Sequence, residues 1–62
     1  MFSPITNKIY YIGNKVRDKK SGKEGIIYQI NVLGSSGIRV KFDDNTKKGF
    51  FSNQLLNLDI IS

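Results

Sequence analysis

Ile38-Arg39-Val40-Lys41-Phe42 alternates apolar and cationic side chains without a fault. A period of two marks a strand with one dry and one wet face, which assigns Ile38, Val40 and Phe42 to a core and Arg39 and Lys41 to solvent. Turn chemistry bounds it on both sides. Gly34-Ser35-Ser36-Gly37 is a flexible connection between antiparallel neighbours, and Asp43-Asp44-Asn45-Thr46 makes an Asx-type turn.

Upstream, Ile26 to Leu33 (IIYQINVL) is β-branched and aromatic, which argues strand over helix at this length. Its phase is open: Ile26, Tyr28 and Ile30 or Ile27, Gln29 and Asn31 face inward, and a bulge would mix the two sets. Asp18 to Gly25 is a charged loop bent at Ser21-Gly22, with Gly25 suited to a bulge or a close backbone approach. Before it, Lys15-Val16-Arg17 sets one apolar residue between two cations, so Val16 points inward.

Downstream, Lys47 to Ser52 is extended, and Phe50 and Phe51 must lie on opposite faces, leaving one of them partly exposed. Ser52-Asn53-Gln54-Leu55 reads as a single helical turn capped by Ser52, and Leu55, Leu56, Leu58, Ile60 and Ile61 close the core through a short last strand. Residues 1–12 show no sustained period and read as an arm, with Ile9 to Ile12 as an edge strand and Pro4 arguing against a central one. Short strands between Gly- and Asx-rich turns predict an all-β domain, a small five-stranded antiparallel barrel over residues 13–62 with a short helical turn before its last strand.

A chain of 62 residues supports one core, because so short a chain buries only about 60% of the surface its unfolded form exposes. With no Cys and no His, neither a disulfide nor a structural zinc site can reinforce it, and no cofactor is expected. Apolar runs fall far short of the roughly 20 residues that span a bilayer, so no membrane partner is expected. The start lacks the pattern of a signal peptide, making the cytoplasm the expected compartment. Ten Lys and Arg against five Asp and Glu give a net charge of +5, which attracts polyanions but also serves solubility.

Taken in order, Gly13-x-x-Val16-x-Asp18, Ser21-Gly22-x-x-Gly25-Ile26-Ile27-x-x-Ile30, Ile38-x-Val40-x-Phe42-Asp43-Asp44, Phe50 and Leu55-x-x-Leu58 resemble the Tudor/KOW class of SH3-like barrels over residues 13–61. Lys20 to Ile27 resembles the KOW motif, whose loop and strand contact RNA or protein. A second similarity is to the C-terminal Tudor-like domain of bacterial repair helicases, which docks on RNA polymerase. Asn31 to Gly37 is longer than the corresponding KOW turn and partly apolar. The resemblance implies an SH3-like fold, and a fold shared by many functions does not choose among them.

Catalysis is not expected. General acid-base and nucleophilic chemistry draw mainly on His, Cys or a tuned carboxylate beside a base, and four of the five carboxylates, Asp18, Glu24, Asp43 and Asp44, are accounted for by turns and loops. Asp43 and Asp44 lack the further oxygen ligands a divalent cation needs. The similarity to plasmid-type dihydrofolate reductases, also SH3-like, fails where their pore segment Val-Gln-Ile-Tyr is replaced by Gly49-Phe50-Phe51-Ser52. A methyl-lysine cage from Tyr10, Tyr11, Tyr28, Phe50 and Phe51 is outweighed by their use as core.

The cations are the better material. Lys15 and Arg17 share one outward face, Arg39 and Lys41 another, Lys19, Lys20 and Lys23 crowd the first loop, and Lys47 and Lys48 follow the acidic turn. With Tyr28 or Gln29 in the middle between the flanking strands, Tyr28 serving as a stacking ring if it faces out, these residues predict a nucleic-acid-binding module, DNA or RNA, acting through phosphate contacts. One alternative is a protein-interaction module, such as one docking on RNA polymerase, anchored by Val32, Leu33 and whichever of Phe50 and Phe51 faces out. The other is a homo-oligomeric structural or accessory protein of a phage or mobile element.

Overall fold

The alternation in Ile38 to Phe42 is realised as the middle of an antiparallel sheet. The computed structural model describes residues 1–31 and 37–62. A two-stranded hairpin, β1 (Phe2–Ser3) and β2 (Lys8–Ile9), precedes β3 (Lys15–Asp18), β4 (Glu24–Asn31), β5 (Gly37–Phe42) and β6 (Lys47–Phe51); a 3₁₀ helix over Ser52–Asn57 leads into β7 (Leu58–Ile60). The last five strands form one sheet in the order β6-β5-β4-β3-β7, so the last strand returns to pair with β3.

The phase of β4 is settled by a bulge. Ile27 faces Val40 and Gln29 faces Arg39, so Tyr28 is the extra residue opposite no single partner. Below the bulge Ile27 is inward; above it Ile30 faces Ile38 on the same inner side. Neither regular phase therefore holds along the whole strand, because the added residue turns the alternation over. The core comprises Val16, Ile27, Ile38, Val40, Phe42, Phe50, Leu55 and Leu58, joined by Tyr10 from the N-terminal segment.

Two ion pairs reach across the sheet. Lys48 of β6 lies on the inner face with Phe50, and its Nζ stands 3.4 Å from Asp18 Oδ2 of β3. In a flat sheet those strands would be separated by roughly 14 Å at the usual strand spacing. The sheet is thus strongly curved. At the same end Lys23 Nζ pairs with Asp44 Oδ2 at 3.0 Å, tying the β3–β4 turn to the β5–β6 turn.

Asp18 is 3% exposed, closing β3 rather than merely opening a loop. Burial disfavours its charge, but the Lys20 N–H, the Ser21 hydroxyl and the Lys48 ammonium together outweigh that cost and hold its pKa below the usual carboxylate value. Asp44 is lowered to about 2, chiefly by the Thr46 hydroxyl and then by Lys23. The Asx turn is present as expected: the Thr46 N–H donates to Asp44 Oδ1 at 3.1 Å.

Two local expectations are corrected. Residues 9–12 do not pair as an edge of the main sheet; the hairpin pairs Phe2 with Ile9 and Ser3 with Lys8. The arm is anchored because the Tyr10 ring is buried and its hydroxyl meets Thr6 Oγ1 at 2.9 Å. Nor does Ser52 cap the helical turn. Ser52 is already inside it, and the Phe51 N–H donates instead to Gln54 Oε1 at 2.9 Å.

Candidate functional site

Strand pairing decides which of the sequence-selected cations share a surface. On the outer face Lys15, Ile26, Lys41 and Lys47 form one row across β3, β4, β5 and β6. The next row toward the β4–β5 connection is Gln29, Arg39 and Gly49, and the one beyond it is Asn31, Gly37 and Phe51. Tyr28, the bulged residue, sits between the first two rows, with Lys47 Nζ 5.5 Å from its ring centroid. Tyr28, Arg39, Lys41 and Lys47 are thereby brought together.

The remaining cations divide among three other places. Lys15 lies 3.9 Å from Glu24 and Lys19 3.4 Å from Asp59, and Arg17 is flanked across the sheet by Glu24 and Asp59. That half of the outer face is nearly neutral. Lys20 and Lys23 lie at the turn end, Lys23 bonded to Asp44, and Lys48 is on the inner face beside Asp18 and over the Phe50 ring at 5.0 Å. Alternation along β6 separates Lys48 from Lys47, so this adjacent pair does not serve one surface.

Among the described residues, Arg39, Lys41 and Lys47 make no ion pair. Lys41 and Lys47 are register partners across β5 and β6, and like charges directly opposed across strands are destabilising. The Tyr28 ring attracts the Lys47 ammonium, but no carboxylate among the described residues balances either lysine.

Of the apolar anchors, Phe50 is 2% exposed and belongs to the core, whereas Phe51 is 60% exposed on the outer face. Phe50 is therefore withdrawn as a docking residue, its side chain being taken up by the interior. Val32 and Leu33 lie outside the described residues. Tyr28 is half-buried with one side under Lys47, which leaves Phe51 as the open ring of this face. Gln29, the alternative to Tyr28 for the middle of the face, lies on it, and sequence reasoning passed over Ile26 and Gly49, which share it. A glycine within an otherwise extended, Phe-rich segment was the available signal for the last.

No helix among the described residues is long and apolar enough to cross a membrane, and no group of three or more potential metal ligands occurs among them. Compared with known proteins, the chain matches no family model, no curated protein and no solved structure.

Proposed function

We propose that this chain is a non-catalytic nucleic-acid-binding module on an SH3-like, Tudor/KOW-type barrel, acting through the outer face of β5 and β6. The strand order, the return of the last strand to the first of the main sheet after a 3₁₀ turn, and the Lys48–Asp18 pair across the curved sheet support the barrel reading. The observation that carries the function is the cluster of Arg39, Lys41 and Lys47, set on adjacent strands without carboxylate partners among the described residues. A sequence that accepts opposed like charges gives up local stability, and such conflicts concentrate at functional sites.

Phosphate oxygens relieve the repulsion that the fold leaves in place. Binding of this kind is salt-dependent and weakly sequence-specific. The test is titration of labelled oligonucleotides over a salt series: three phosphate contacts give a log–log slope of about −2 for single strands. Absence of binding at low salt would end this reading.

A second reading, self-association, rests on the N-terminal hairpin, where Phe2 and Ile9 face each other and are both exposed, with Tyr11 and Ile12 also exposed beyond them. Sedimentation of the chain at high concentration tests it. A monomer there would remove the oligomeric alternative.

A further inference from the structure

Gly49 stands in the interior of β6 without a conformational reason, or a steric one among the described residues, to be glycine. It does not require a positive φ, and a Cβ built on it meets no heavy atom of the described residues within 4 Å. Elsewhere in the sheet the reason is plain. A Cβ on Gly25 would come within 2.8 Å of Phe42 Cα and closer still to the Lys41 carbonyl, and one on Gly37 would lie 2.7 Å from the Phe50 carbonyl oxygen. A mid-strand glycine weakens a strand, since it packs nothing and loses the most backbone freedom. What Gly49 does provide is open space above the sheet.

That space has defined walls. Asn31, Gly37, Arg39, Gly49 and Phe51 border a shallow pocket of about 110 Å³. Its floor at Gly49 is bare backbone, one side is the exposed Phe51 ring, and the neighbouring row holds Lys41 and Lys47. A planar group fits a bare floor beside an open ring, and the adjacent cations call for a ligand that carries phosphates.

We propose that the Gly49 floor, Phe51 and Arg39 form a seat for an unpaired nucleobase, making single-stranded nucleic acid the ligand of this face. The inference rests on the nucleic-acid reading above and specifies its substrate class. In a single strand the base is free to stack on Phe51 while its flanking phosphates meet Arg39, Lys41 and Lys47. In a duplex both faces of each base are already occupied by neighbouring bases, and only the phosphate contacts remain. Charge complementarity favours this occupant over an apolar peptide.

The experiment compares wild type, Gly49→Val, Phe51→Ala and Lys47→Glu for binding to a labelled oligodeoxythymidine, an oligouridine and a hairpin duplex, with thermal melting of each protein alongside. Val is a good strand former and fills the pocket, so Gly49→Val is expected to melt at or above the wild-type temperature. It should lose about tenfold or more in single-strand affinity, the scale of one stacked base, and leave duplex binding unchanged. Phe51→Ala should lose single-strand affinity similarly, and Lys47→Glu should weaken both kinds of ligand. A folded Gly49→Val protein that binds single strands as wild type does, with Lys47→Glu still defective, overturns the base seat and leaves the phosphate face standing. Wild-type protein that binds none of the three ligands overturns both.

Discussion

Lys41 and Lys47 are direct cross-strand partners on the outer face of β5 and β6, with no carboxylate bonded to either among the described residues. A cation elsewhere in the sheet shows the contrast. Arg17 has Glu24 on one side and Asp59 on the other, the arrangement expected where charge serves the fold alone.

Lys47→Glu converts the opposed ammonium groups into an opposite-charge pair. The gain from that pair, about 0.5 kcal/mol, is offset by loss of the Lys47 contact with the Tyr28 ring, worth about 0.5 kcal/mol at an exposed site. The melting temperature is therefore expected to stay within a few degrees of wild type. Oligonucleotide affinity should fall in the same protein. A variant that is both less stable and unaltered in binding would show that Lys47 serves packing instead.

Gly25→Ala tests the close approach of β4 to β5. The added methyl would press on the Lys41 carbonyl and on Phe42 Cα, both backbone atoms that cannot swing aside. A loss of roughly 1–3 kcal/mol is expected, comparable to overpacking a core. Chemical denaturation reads it directly, and a neutral result would place the strands farther apart than described.

Asp18 makes stability depend on acid. Because its folded pKa lies below the ordinary value, its contribution is complete above the unfolded pKa near 3.9 and is lost as pH falls through the folded value. Asp44 acts in the same direction, with a folded value of about 2. Asp18→Asn is expected to cost about 1–3 kcal/mol at neutral pH, as buried donors lose a charged acceptor, and to flatten the fall in melting temperature between pH 5 and 2. An unchanged acid limb would assign that fall to other groups.

Tyr10 reports whether the arm is part of the domain. Its buried ring and its bond to Thr6 fix the hairpin to the core. Tyr10→Phe is expected to cost about 1 kcal/mol through the lost hydrogen bond, while Tyr10→Ala removes a large core side chain and costs about 3–5 kcal/mol. An alanine variant of wild-type stability would detach the arm from the fold.

The strands were legible where alternation is strict. Ile38 to Phe42 and Val16 fall on the faces their period assigns, because each side chain there is plainly apolar or charged. Ile26 to Asn31 was not, since one bulged residue reverses the alternation and nothing local announces it. Tyr10 could be read as core only from its being aromatic, because an irregular segment has no period to place its side chain. The cations were all visible, but grouping them needed register: Lys47 and Lys48 are adjacent in sequence and lie on opposite faces, while Lys41 and Lys47 are six residues apart and touch the same row. Gly49 stands out in sequence as a glycine in a Phe-rich segment, and only the structure shows that no described residue requires it to be one.

The most direct measurement is mapping of backbone amide shifts as an oligodeoxythymidine is added to labelled protein. The account predicts that shifts concentrate on the strands carrying Tyr28, Arg39, Lys41, Lys47, Gly49 and Phe51, and that they recede as salt is raised. Shifts confined instead to the hairpin, β7 or the Lys19–Lys23 turn, or no shifts at low salt, would contradict it.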